Sequence, residues 1–230
     1  MKKRQAHKNI PKGCFEEEQG QEGFFGPASH LIRKNPSTRW SHIEGSLKPR
    51  MFDLISKNKK TWTPLFYNDN LAIHFLNCTK HSSKLFKSAN GDLLYFCHKG
   101  EGVVLTEYGL LNYHSGQYIV LPKSLSHVFI PSKDSSFFVI ESLKSHFRAP
   151  ERGLLGRHAL YDSDSLVKPD LKALNQFLQK ENLEFKKMLV HHEGQKTLFT
   201  YKECLFDVVE WKGDLFPYTL DMKDIMPVMS

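Results

Sequence analysis

The sequence predicts a mainly β fold, a jelly-roll β-barrel with an extended N-terminal arm and one short helix plus hairpin near the C-terminus. Three observations predict it. Between Ala89 and Pro131, four short apolar runs at residues 93–97, 103–106, 118–121 and 127–130 are separated by Gly-bearing punctuation. The punctuation falls at Asn90–Gly91, Lys99 to Gly102, Tyr108–Gly109 and Ser115–Gly116, which predicts consecutive antiparallel strands joined by tight turns. Gly102, Gly109 and Gly116 recur at a fixed interval, and glycine supplies the positive φ that hairpin turns demand. Helical periodicity is confined to residues 169–182, where Leu171, Leu174 and Leu178 form one stripe behind Pro169 and Asp170.

The remaining elements follow in chain order. Residues 1–50 are rich in Gly, Pro, Glu and Lys without period-2 or period-3.6 patterning, and are expected to form an extended arm. The exception is residues 22–32, where two glycines flank paired phenylalanines and Ser29–His30–Leu31–Ile32 can begin a strand. Residues 51–230 are expected to form the barrel domain with its C-terminal helix, hairpin and closing segment. Leu71, Ile73 and Phe75 alternate, which predicts a strand with that face buried and His74 on the other. Residues 135–142 read as a further strand, and residues 144–163 as a long loop. His191, His192 and Glu193 lie between two apolar runs and read as a polar hairpin turn, since adjacent residues of an extended chain point to opposite sides. Residues 205–211 read as a last strand, followed by a turn and the Pro217–Tyr218 corner.

Composition narrows the function classes. A chain of 230 residues with 40% hydrophobic, 12% aromatic and 25% charged residues can bury a full core. No apolar run reaches the roughly 20 residues that span a bilayer, and the charged N-terminus lacks a secretory apolar stretch. Cys14, Cys78, Cys97 and Cys204 are far apart without a Cys-x-x-Cys pair, as expected of reduced thiols in the cytoplasm. Cys78 and Cys97 lie in expected strands as packing residues. The net charge of +7 is spread over residues 1–12, 57–60 and single sites, so a solvated face is expected, with neither nucleic acid nor membrane as partner. A small anionic ligand would also be attracted by it.

Gly116, Pro122, Ser124 and His127 resemble the second motif of the cupin superfamily, with Ser124 where that motif prefers glycine. Residues 91–102 resemble the end of the first motif. In metal-binding cupins that motif adds two histidines and a glutamate. Here the glutamate position falls at Leu93 and the histidine positions within Phe86 to Ala89. A divalent iron or zinc site needs at least three convergent protein donors, so His127 is expected to be a hydrogen-bonded structural residue. His74, His98, His114 and His127 lie on or beside neighbouring strands, but His98 and His114 sit next to turns, where exposure is the default.

The closing segment, residues 206–230, resembles the junction segment of homogentisate 1,2-dioxygenases, ring-cleaving iron enzymes of tyrosine and phenylalanine breakdown. Glu22–Gly26, Asn90–Gly109 and Val139–Ser142 resemble the same family in the same order. The resemblance implies a cupin-like N-terminal domain without its own metal triad, and a family cofactor, Fe(II), held by two histidines and a glutamate in a second domain. This chain stops at Ser230, before the region where those ligands would lie, so no catalytic, cofactor-binding or metal-ligating residue is assigned to it. Two function classes follow: a dioxygenase scaffold that works with a separate C-terminal catalytic half, and a non-catalytic module for small-ligand binding or assembly. An arm carrying apolar residues is expected to lie across its own domain or a second copy, which would give a homo-oligomer.

Overall fold

The computed structural model describes residues 7–23, 25–51, 62, 64–148 and 160–226. Phe24, the Lys57–Lys60 run and most of the expected long loop, residues 149–159, lie outside the described residues. The chain divides into two compact units, Met1–Asp53 and Leu54–Ser230.

In the first unit, β1 (Phe15–Glu22) and β2 (Phe25–Arg33) pair as an antiparallel hairpin. The chain reverses around Gly23, whose φ is +69°. These strands lack an alternating apolar face, which is why the residues predict no strand before Ser29.

The second unit is mainly β and cupin-like. Its strands are β3 (Phe66–Tyr67), β4 (Leu71–Cys78), β5 (Leu85–Ser88), β6 (Asp92–Thr106), β7 (Gly109–His114), β8 (Gln117–Leu121), β9 (His127–Ser142), β10 (Lys187–His192), β11 (Gln195–Thr200) and β12 (Tyr218–Asp221). The helix α1 spans Leu171–Glu181 between β9 and β10. Two long strands run through the whole unit. β6 and β9 pair antiparallel over their full lengths, so four of the expected strands merge in pairs, and of the runs between Ala89 and Pro131 only 118–121 stands as its own strand, β8. The runs 93–97 and 103–106 are two halves of β6, and 127–130 and 135–142 are two halves of β9.

The stretch from Lys99 to Gly102 is therefore a bulged bend and not a turn. Pairing slips at three points between Cys97 and Gly102. Seven residues separate Cys97 from Val104 on β6, whereas eight separate their partners Phe129 and Phe137 on β9. That single-residue slip moves the inward face of β6 from odd to even positions, so Leu93, Tyr95 and Cys97 reach the same core as Val104. Gly100 makes the bend possible. Its φ is +99°, and a Cβ there would lie 2.3 Å from Ser135 Oγ and 2.6 Å from Ser135 Cα.

The bend lets each long strand serve two groups. The first half of β6 pairs with β8, which pairs with β12, while the second half of β9 pairs with β4, which pairs with β3. The second half of β6 pairs with β7. At the start of β9, Phe86 of β5 pairs with His127, and β5 is followed by β10 in parallel and then β11. Inward residues of both groups, among them Tyr95, Tyr113, Ile119 and Phe137, form one buried core. The outer face around Leu85, Leu105 and Val128 is covered by Leu174 of α1 together with Phe185 and Phe206.

Local chemistry explains the helix and hairpin. Asp170 caps α1 by accepting from the Ala173 N–H, and Asn182 ends it in the left-handed region. Glu193 and Gly194 have φ of 46° and 78° and form the two-residue turn between β10 and β11. Ser124 takes φ of 64°, the left-handed conformation for which its motif prefers glycine.

Three further expectations are corrected. On β4, Ala72 and His74 are buried while Leu71, Ile73 and Phe75 are half-buried, because the even face looks into the barrel. Residues 205–211 form no strand, and the last strand comes after Pro217, where Tyr218–Asp221 pairs with β8. His191 is no part of a turn, since it lies on β10 and is buried.

Gly100→Ala is expected to cost roughly 3 kcal/mol in urea unfolding, since it combines a left-handed backbone with a steric clash. Gly116→Ala, with φ of +91° and open space around its Cβ, is expected to cost only about 1 kcal/mol.

Candidate functional site

The inward alternation of the strands produces a cavity of about 500 Å³ in the second unit. Trp62, Phe86, Tyr95 and Phe129 line it with aromatic surface, His127 adds an imidazole, and Lys80, Lys84 and Lys196 add positive charge. Cys78 also lines it, and burial raises its thiol pKa to about 11, which leaves it protonated and inert as a nucleophile.

His127 has both ring nitrogens engaged. Nδ1 lies 3.3 Å from the Leu125 carbonyl, which can only accept, so Nδ1 carries the proton. Nε2 then accepts from the Tyr95 hydroxyl at 2.9 Å. Burial lowers the His127 pKa to about 4, partly opposed by the Leu125 carbonyl. Burial, with the negative charge of Glu141, raises that of Tyr95 well above its ordinary value. The pair is thus a neutral imidazole and a neutral phenol, with the His127 ring packed edge-on against Phe86 at 5.6 Å and Phe129 at 5.8 Å.

A second polar cluster centres on Glu141, inward on β9 in step with Phe137 and Val139. Its carboxylate lies 3.0 Å from His74 Nε2, accepts from the Ser88 hydroxyl, and accepts from Asn90 Nδ2 at 3.4 Å. Asn90 Nδ2 also lies 3.2 Å from His191 Nδ1, and its Oδ1 accepts the Glu193 N–H at 2.8 Å. Burial pushes the Glu141 carboxyl up, but the hydrogen bonds from His74 and Ser88 outweigh it and hold the pKa below its ordinary value. Trp62 stacks on His74 with ring centroids 4.2 Å apart. The His74 Nδ1 and Trp62 Nε1 atoms are buried without partners among the described residues.

The four histidines on neighbouring strands do not converge. His74 and His127 belong to different clusters, His98 is exposed, and His114 lies half-exposed with Nε2 3.4 Å from Asp221. Among the described residues, no three His, Cys, Asp or Glu donor atoms of the barrel come within metal-binding reach of one another. Leu93, in the motif's glutamate position, is a buried apolar residue. The barrel residues therefore do not fit an Fe(II) centre. Sequence reasoning missed Glu141, although a carboxylate in register with apolar inward residues is a legible signal.

A family model described as Homogentisate 1,2-dioxygenase N-terminal matches residues 12–222. The chain belongs to this family. A homogentisate 1,2-dioxygenase of Dictyostelium discoideum is 24% identical over 96% of this chain. One from Bradyrhizobium diazoefficiens is 26% identical over 69% of it. The chain spans 58% of the first relative's length and 34% of the second's. A cupin-2 domain containing protein from Shewanella frigidimarina aligns with 38% of this chain and 86% of its own, at 15% identity and a TM-score of 0.33. No helix among the described residues is long and apolar enough to cross a membrane.

Two predictions concern the interior of the second unit. The unfolded His127 imidazole takes up a proton near pH 6.5, and the buried one only near pH 4, so protons favour the unfolded chain between these values. Stability is expected to be full above pH 6.5 and to fall as the pH drops towards 4, by on the order of 3 kcal/mol from this group. Urea unfolding at a series of pH values should show this slope, and His127→Gln should remove it while leaving that of His191, whose pKa burial also lowers. Glu141→Ala is expected to lose about 3–5 kcal/mol at pH 7, because it strands His74 and Ser88 in a dry interior. The Glu141 contribution is complete above the unfolded carboxyl pKa near 4.5 and is lost as the pH falls through the lower folded value.

Proposed function

We propose that this chain is the scaffold part of a cytoplasmic homogentisate 1,2-dioxygenase-type enzyme of tyrosine and phenylalanine catabolism, and that it has no ring-cleaving activity alone. The observation that carries the reading is the donor set of the barrel. His127 is closed off by Tyr95 and Leu125, and among the described residues no second and third donor stand beside it. Ring cleavage with dioxygen needs a redox metal with open coordination positions, for which a set of two histidines and one carboxylate is the usual protein solution. The family's iron would therefore be held by residues that this barrel does not contribute. Its own part would be to supply a rigid wall and the surface on which a separate catalytic half, or a second copy of the chain, assembles. The family match over residues 12–222 supports this reading.

The cavity favours a second reading, a small-ligand module without chemistry. An aromatic face, three lysines and a Trp62 Nε1 without a partner among the described residues suit an aromatic carboxylate. The two readings separate in one experiment. The purified chain is loaded with Fe(II) without oxygen, then given homogentisate and air. Oxygen uptake at background is expected, and homogentisate-dependent uptake above it would overturn the scaffold reading. A thermal shift with homogentisate in the absence of iron, abolished by Phe86→Ala, would support the ligand module.

A further inference from the structure

We infer that the hairpin of the first unit carries a divalent transition-metal site built from His7, Glu16 and His30, with Zn2+ as the ion it suits. In the β1–β2 register Glu18 faces His30 and Glu16 faces Ile32, so Glu16 and His30 are diagonal neighbours on one face of the hairpin. The segment before β1 brings His7 onto the same carboxylate. The His7 main-chain N–H donates to Glu16 Oε1 at 3.1 Å, and its Nδ1 lies 2.5 Å from Oε2. His30 Nδ1 lies 3.0 Å from Oε1. The two imidazoles meet edge to face, with centroids 5.2 Å apart and planes at 89°, which lets both Nδ1 atoms aim at one centre without their rings colliding.

These donors are spaced for an ion. One ligand atom from each residue lies within 4.8 Å of the other two. Zinc bonds of about 2.0–2.2 Å at tetrahedral angles hold their donors about 3.3–3.5 Å apart, so small side-chain movements would close the shell. Two imidazole nitrogens with one carboxylate oxygen suit zinc, ferrous or cobaltous ions and do not suit magnesium, which prefers an all-oxygen shell. Glu16 and His30 are mostly shielded, with side chains 12% and 28% exposed, while His7 at 71% forms the open side through which an ion can enter. Three protein donors leave one position for water or for a donor from another molecule. With no ion, each Nδ1 carries the hydrogen that it donates to Glu16, and a cation would take both Nδ1 lone pairs with each imidazole holding its proton on Nε2.

The site shares no residue with the barrel cavity and does not rest on the reading of its function, and it is tested without any measurement of oxygen uptake. The full chain is stripped with EDTA, dialysed and titrated calorimetrically with Zn2+, with Co2+ absorption as a second readout and Mg2+ as a control. Binding of one zinc per chain is expected, together with a four-coordinate cobalt spectrum and no response to magnesium. Glu16→Gln and His30→Ala should each weaken zinc by about tenfold or more and abolish the cobalt bands. Glu18→Gln removes a charge from the same face without touching the three donors, and should leave both readouts intact. Absence of zinc binding would overturn the assignment. So would zinc binding unchanged in Glu16→Gln and His30→Ala, or a loss in Glu18→Gln as large as theirs.

Discussion

The pairing of β6 with β9 is the constraint on which the second unit depends. β6 alone has no continuous inward face, because it turns odd positions inward before its bend and even positions after it, whereas β9 keeps odd positions inward on both sides. Only the slip opposite β9 lets Cys97 meet Phe137 and Val104 meet Phe129 in the same core. The other strands attach to the edges this pair provides: β8 and β4 on one side of the bend, β7 and β5 on the other. Burial of the aromatic core then follows from strand alternation, since Tyr95, Phe129 and Phe137 stand on inward positions of the two long strands. The cavity lies where these faces leave space between them.

The polar groups sealed into that interior are matched to one another. A buried carboxylate is tolerated where several donors share its charge, and Glu141 has three on three different strands or turns. Asn90 extends the network to His191 and to the Glu193 turn, so the β10–β11 hairpin is fixed to the chain just after β5 by polar contacts as well as by its parallel pairing with β5. Tyr95 and His127 instead form a closed neutral pair. Both clusters give the interior fixed polar positions at the cost of sensitivity to acid.

Local chemistry was legible in the residues and long-range pairing was not. Asp170 ahead of a leucine stripe specifies where α1 starts, and Glu193–Gly194 between apolar runs specifies a hairpin. Both signals are complete within a few residues. Gly100 and Gly102 misled for the opposite reason. In isolation they read as a turn, but what they permit is the close approach of Ser135 and Ile130 from a strand some thirty residues away. The inward placement of His74 is a similar case. Alternation on β4 offers apolar residues at both parities, and only the partners Glu141 and Trp62 make the histidine face the favourable one to bury. The cupin motif was legible as a fold signature, and its missing donors at Leu93 and Phe86 to Ala89 were legible as chemistry. The hairpin of the first unit was hidden because its strands are polar on both faces.

Among the 12 histidines, what separates the roles is the existing engagement of each nitrogen and the solvent around it. His127 would have to break its bond with Tyr95 to offer Nε2 to an ion, which would strand a buried phenol and still provide a single donor. His74 has an Nδ1 unengaged among the described residues, but the ring is covered by Trp62 and its other nitrogen is on Glu141. His7 and His30 differ on both counts, since their Nδ1 atoms already converge on one carboxylate at an edge that water reaches. An ion needs convergent lone pairs and a path from solvent, whereas an aromatic ligand needs a dry wall with few polar points. The barrel interior meets the second requirement and the hairpin of the first unit meets the first, so the two units divide between them chemistries that a metal-binding barrel would combine in one cavity.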